Sequence, residues 1–205
     1  MYDVAMNAIE RLTQIFRHFP GIGPRQAKRF VYYLLSRNTD TLGELVSAIG
    51  DLGREITQCK MCFRYFARNG VVKETCSTCT DSTRDTSMLM IVPRDIDLEA
   101  VEKSGTYKGY YFVLGGTLPI LEKEPEKRIR TKNLESRIKK DKDIKEIILA
   151  MNANSDGENT VEYLKNHLPL DGIVVTTLGR GLSTGAELEY ADPETLKNAF
   201  LHRTK

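Results

Sequence analysis

At 205 residues, 40% hydrophobic and 28% charged, the chain has room for one medium globular domain with one or two small modules. No apolar run approaches a membrane span, and Met1–Arg11 lacks the basic start and apolar core of a signal peptide, so a cytoplasmic protein without a membrane partner is expected. The net charge of +2 is unevenly spread: residues 1–80 hold 11 Lys/Arg against 7 Asp/Glu, and residues 81–205 hold 19 against 21, which tilts the front half towards anions.

Ala5–His18 predicts an amphipathic helix, with Ile9, Leu12, Phe16 and Phe19 recurring at helical spacing. Pro20-Gly21-Ile22-Gly23-Pro24 breaks it. A second helix is expected from Pro24, which suits a first helical position, to about Arg37. Its inner side is expected to carry Ala27, Phe30, Val31, Leu34 and Leu35. A third helix is expected over about Leu42–Ile56. Helix, Gly-Ile-Gly, helix is a helix–hairpin–helix pattern. Gly21 and Gly23 let the backbone turn tightly and approach a ligand, and the N–H groups at the start of the second helix can receive a phosphate oxygen. Arg25, Lys28 and Arg29 stand in the first turns of that helix, where cations oppose the macrodipole and an anionic partner would relieve the conflict. The pattern predicts sequence-independent contact with nucleic-acid backbone. The alternative is an ordinary helical hairpin whose glycines only permit the turn. Arg64, Arg68 and Lys73 are candidates to extend the basic surface.

All four cysteines fall within 21 residues: Cys59 and Cys62, a spacer of 13 residues, then Cys76 and Cys79. Two CxxC pairs at this separation fit one tetrahedral zinc ion, Zn2+, per chain. Four protein ligands leave no open position for water, so the metal is expected to be structural. Redox pairs or local disulfides are the competing reading.

Beyond Asp85 the pattern becomes strand–helix alternation. Met88–Val92, Tyr110–Leu114, Ile147–Ala150 and Ile173–Thr177 predict strands. Helices are expected near Leu98–Lys103, Asn133–Lys140, Thr160–Leu168 and Asp192–Arg203. Such alternation predicts a mostly parallel four-stranded sheet with helices on its faces. The mixed-charge segment Glu122–Asp143 is expected to be a solvated loop and helix face. His18, His167 and His202 each fall at a predicted helix end, where capping or surface roles are expected. Gly179–Gly185 lacks the Gly-Lys-Ser/Thr of a P-loop and is expected to be a plain turn.

This second half resembles a Toprim domain, whose magnesium site needs a Glu after the first strand and Asp-x-Asp-x-x-Gly after a later one. Here Pro93 follows the first strand, and Asn152, Asn154 and Gly157 occupy the later pattern. Three formal negative charges are thus absent, although Asp156 and Glu158 remain and Asp95 is a candidate substitute.

The order of parts resembles the RecR family of recombination mediators over nearly the whole chain. The residues that carry the resemblance are Pro20–Pro24, the two CxxC pairs, Tyr111–Leu114 with Gly116, Asn152 with Gly157-Glu158, and Arg180-Gly181 followed by Gly185–Tyr190. Departures are Pro93 and Asp156, where relatives usually have Glu, and Ser183, where they usually have Pro. The resemblance implies an α+β multidomain protein: a helix–hairpin–helix domain at 1–57, a four-cysteine zinc finger at 58–80, a degenerate Toprim domain at 81–178 and a Gly-rich C-terminal segment with a helix at 179–205. It implies no catalysis. It further implies a homo-oligomeric ring, commonly a tetramer, around double-stranded DNA, acting with RecO and often RecF to load RecA on single-stranded DNA. Arg25 and Arg29 would touch DNA, and the degenerate Toprim site at Asn152, Asn154, Asp156 and Glu158 would support partner contact. The alternatives are a magnesium-dependent Toprim enzyme of the primase, topoisomerase or nuclease type, and a zinc-stabilised module that binds only protein.

Overall fold

A computed structural model describes residues 6–68 and 73–203, which divide into two compact units, Met1–Ile56 and Thr57–Lys205.

The first unit is helical. Helix α1 (Ala8–Arg17) starts at Asn7, whose side chain accepts the Glu10 N–H while Glu10 reaches back to the Asn7 N–H, a complete capping box. Ala5, at the start of the expected helix, lies outside the described residues. Helix α2 (Pro24–Leu35) and helix α3 (Thr39–Glu55, capped by Asn38) follow. Phe16 packs edge-on against both Phe19 and Phe30, with ring centroids 5.7 and 5.8 Å apart. Ala27 and Val31 are buried, but Leu35, expected on the inner side, is 62% exposed because α2 ends at this residue and packs nothing over it.

The second unit opens with a two-stranded sheet, β1 (Ile56–Gln58) and β2 (Tyr65–Ala67), and a single-turn helix α4 (Ser77–Thr80). Then come β3 (Asp85–Val92), α5 (Asp95–Ser104), β4 (Gly109–Val113), α6 (Pro125–Arg128), α7 (Thr131–Lys140), β5 (Glu146–Leu149), α8 (Ser155–His167), β6 (Val174–Thr177) and α9 (Pro193–Leu201). The larger sheet has the order β4-β3-β5-β6, and every pairing in it is parallel. Met90 stands opposite Tyr111 on one side and Ile148 on the other.

Successive residues of a strand point to opposite faces, and both faces of this sheet are covered. Leu89, Ile91, Phe112, Leu114, Ile147 and Leu149 share one core with Leu134 and Ile138 of α7 and Leu164 of α8. Met90, Val92, Tyr111 and Val113 share the other with Leu98 of α5. The segment Glu122–Asp143 is solvated over most of its length, as expected, but not on the inner face of α7. Thr131, Leu134, Arg137 and Ile138 are buried, because α7 lays one face on the sheet.

In parallel strands the carboxyl ends lie together. Pro93 and Asn152 thus follow adjacent strands, with the Ala150 N–H donating to Ile91 at 2.9 Å and the Gly115 N–H donating to Pro93 at 2.9 Å.

Candidate nucleic-acid interface and metal centre

The hairpin between α1 and α2 is built by its glycines. Gly21 has φ +76°, in the left-handed region that a side chain would strain, and the Ile22 N–H closes the turn on Phe19 at 3.1 Å. Gly23 caps α2 with extended backbone and no side chain, and Pro24 follows at the first helical position. The first turn of α2 contains no acid, unlike those of α1, α3, α5, α8 and α9. Gly21, Gly23, Arg25, Lys28 and Arg29 are all exposed. Among the described residues none of these three cations is in an ion pair. Positive helix end, bare backbone amides and unpaired cations together make an anion-receptive surface.

The four cysteines converge. The Sγ atoms of Cys59, Cys62, Cys76 and Cys79 all lie within 4.8 Å of one another, and all four residues are buried. Cys62 and Cys76 Sγ are 3.6 Å apart, far beyond the ~2.05 Å of a disulfide and close to the ~3.8 Å edge of a tetrahedron with ~2.3 Å metal–sulfur bonds. The sulfurs hydrogen-bond to one another, which lowers the Cys59 pKa and raises that of Cys62. A cation that accepts all four as thiolates removes that competition, so the donor set fits a soft metal ion. The Cys59–Cys62 knuckle is closed by the Phe63 N–H on Cys59 at 2.9 Å and the Cys59 N–H on Arg64 at 2.8 Å. Phe63 adopts φ +63°, a strained value for a bulky residue, and its ring is held against Phe112 at 5.2 Å with the Arg130 guanidinium 5.5 Å away.

The basic candidates around the cysteines separate. Arg64 is half-buried and donates to Thr78 Oγ1 at 3.1 Å, so it braces the module, whereas Arg68 and Lys73 are exposed.

At the carboxyl edge of the sheet Asn154, Glu158 and Asp95 are engaged by protein partners, whereas the half-buried Asp156 carboxylate and the exposed Asn152 side chain make no hydrogen bond or ion pair among the described residues. Asn154 caps α8 by accepting the Gly157 N–H at 2.9 Å, and its own N–H donates to the Asn152 carbonyl at 2.9 Å. Gly157 has no room for a side chain, since a Cβ would lie 2.0 Å from the Asn152 oxygen. Glu158 pairs with Arg180 at 2.7 Å. Asp95, the candidate substitute ligand, instead accepts the Tyr65 N–H at 2.7 Å and anchors the cysteine module. Among the described residues the cysteines are the one group of three or more Cys, His, Asp or Glu donors that converges. Of the histidines, His18 and His202 are the C-caps of α1 and α9, and His167 ends α8 with its ring against the Tyr163 carbonyl.

Three family models match the chain. Residues 9–52 match the family model described as "RecR, helix-hairpin-helix", 87–179 match "Toprim domain" and 181–204 match "RecR, C-terminal". Proteins named "Recombination protein RecR" from Staphylococcus saprophyticus, Staphylococcus haemolyticus and Staphylococcus aureus are each 38% identical over 197 residues, which is 96% of this chain and 96% of theirs. A likeness of that extent, carried through hairpin, sheet and C-terminal segment, shows that the chain belongs to the RecR family of recombination proteins.

Proposed function

We propose that this protein is a DNA-binding, non-catalytic mediator of recombinational repair that holds double- and single-stranded DNA through the hairpin residues Gly21, Gly23, Arg25, Lys28 and Arg29. The observation that carries this is the start of α2: exposed amides with no capping side chain, no acid in the turn, and exposed cations behind them. Arg25 and Arg29 stand four residues apart and so share one helix face. Contacts of this type read charge and spacing rather than bases.

The metal in this account is zinc, one ion per chain, held by Cys59, Cys62, Cys76 and Cys79. It supplies a cross-link between two loops and no chemistry on substrate. The absence of catalysis is supported by the fate of the carboxylates: Asp95 and Glu158 each have a protein partner, and asparagines stand where the magnesium ligands of a Toprim site belong. The surface at Asn152, Asn154, Asp156 and Glu158 is assigned to partner contact.

The protein is further read as a ring-forming homo-oligomer, a tetramer, that works in the cytoplasm with RecO and RecF to load RecA on single strands. Exposed apolar surface supports self-association. Leu42, Leu45, Val46, Ile49 and Leu52 form a stripe on α3, and Leu188, Tyr190, Phe200 and Leu201 are 65–80% exposed near the C-terminus. A closed ring also lets a chain of net charge +2 bind DNA, since several weak sites act together.

The test is charge reversal at Arg25→Glu and Arg29→Glu. It is expected to abolish binding to duplex and single strand while metal content and melting stay unchanged. Unchanged affinity refutes the hairpin assignment. Incubation of the pure protein with Mg2+, nucleotides and supercoiled or single-stranded DNA is expected to leave the DNA intact. Cleavage, relaxation or primer synthesis that disappears in Asp156→Ala overturns the non-catalytic reading.

A further inference from the structure

We infer that Tyr32 and Tyr33 form a base-stacking platform on α2, which gives the hairpin a grip on single-stranded DNA that a duplex cannot use. The inference rests on the reading of the hairpin as a DNA site and assigns the part of that site which distinguishes strand from duplex.

Two adjacent tyrosines near the end of α2 are 51% and 54% exposed. The interior of the unit does not need them, because Ala27 and Val31 fill the buried face of the same helix. With Arg25 as i, Arg29, Tyr32 and Tyr33 fall at i+4, i+7 and i+8, which is one helix face. The four residues line one continuous groove with Lys28 and Ser36. At ~1.5 Å per residue the stretch from Arg25 to Tyr33 is about 12 Å long, enough for more than one nucleotide.

The rings are set among cations. Lys28 Nζ is 6.0 Å from the centre of the Tyr32 ring, and the Arg37 guanidinium is 4.1 Å from that of Tyr33. Positive charge interleaved with open aromatic surface is complementary to a polymer that offers phosphate and a free π-face at every step. A duplex buries its base faces in the stack and presents phosphate, sugar and base edges but no free π-face. The cations therefore serve both forms, and the tyrosines serve the single strand.

The experiment measures fluorescence anisotropy of the full-length protein with a labelled oligo-dT and with a labelled duplex of equal length. The wild type is compared with Tyr32→Ala/Tyr33→Ala, Tyr32→Phe/Tyr33→Phe and Arg25→Glu/Arg29→Glu. The alanine pair is expected to weaken oligo-dT binding about tenfold or more, and to leave duplex affinity within about twofold. The phenylalanine pair, which keeps both rings, is expected to behave as wild type. Three results overturn the inference: unchanged oligo-dT affinity in the alanine pair, an equal loss on the duplex, or a change of its oligomeric state in sedimentation velocity, which would mean that the rings cover a second copy of the chain. The arginine variant separates this inference from its premise. If it binds both ligands as wild type does, the hairpin reading fails. If it loses both while the alanine pair loses neither, only the tyrosine platform fails.

Discussion

The N–H of Val113 donates to the carbonyl oxygen of Cys62 at 2.8 Å. Val113 ends β4, an edge strand of the four-stranded sheet, so the cysteine knuckle occupies a backbone position that another strand would otherwise seek. The four-cysteine module is therefore a brace for the sheet as well as for its own loops. Removing the metal with a strong chelator under reducing conditions is expected to lower the melting temperature by about 10 °C. Hydrogen exchange is expected to show the Val113 amide losing protection in the same step. Full protection of Val113 in metal-free protein would contradict the coupling.

Arg137 performs a second part of that attachment. Its side chain is 8% exposed, donates to the Met61 carbonyl at 3.2 Å and pairs with Asp141. Arg137→Leu removes the cation and leaves both acceptors without it. Chemical denaturation is expected to show a loss of about 3 kcal/mol, at the low end for a broken buried pair because Asp141 is part-exposed. A loss below about 0.5 kcal/mol would mean that the contact is incidental.

Local signals in the sequence accounted for much of this architecture. The CxxC pairs were legible because chelation depends on spacing within a few residues. The four large-sheet strands were legible because apolar and β-branched runs mark buried parallel strands, although the sheet is wholly rather than mostly parallel. Arg137 and Asp95 were not legible, since their partners Met61 and Tyr65 lie 76 and 30 residues away. The strands β1 and β2 and the helices α4 and α6 have only three or four residues each, too short for periodicity to register. At the hairpin the glycines and cations were legible, but the exposure of Tyr32 and Tyr33 was not, because two aromatic residues on a helix read as readily as core.

A pH-dependent contribution is expected from Arg84 and Glu102, joined at 2.7 Å with side chains 14% and 29% exposed. Burial pushes the Glu102 pKa up, but the hydrogen bonds and charge of Arg84 outweigh it, and the net shift is below the ordinary 4.5. A carboxylate with a depressed folded-state pKa stabilises the fold above its unfolded pKa, and that stabilisation fades as pH falls through the folded value. Glu102→Gln is therefore expected to cost about 2 kcal/mol at pH 7, with the gap to wild type closing below about pH 4. Equilibrium denaturation across this range checks it, and a gap that widens in acid would have the wrong sign.

Asn154, which by sequence pattern falls where a Toprim magnesium site would have an aspartate, has local work as the cap of α8. Asn154→Asp is expected to be neutral in stability, because aspartate caps equally well, and Asn154→Ala to cost about 1 kcal/mol. Gly157→Ala is expected to cost more, about 3 kcal/mol, since the new Cβ meets the Asn152 backbone at 2.0 Å. Thermal melts of the three variants give the order directly, and a silent Gly157→Ala would contradict the packing described.

The most direct measurement is a salt titration of wild-type affinity for two duplexes of unrelated sequence. Binding through backbone amides and guanidinium groups predicts that log K falls linearly with log salt, with one shared slope for both sequences, and that Arg25→Glu/Arg29→Glu binds neither duplex at any salt in the series. A metal-loaded protein that fails to bind either duplex in dilute buffer, or whose affinity depends on sequence and ignores salt, would contradict the account.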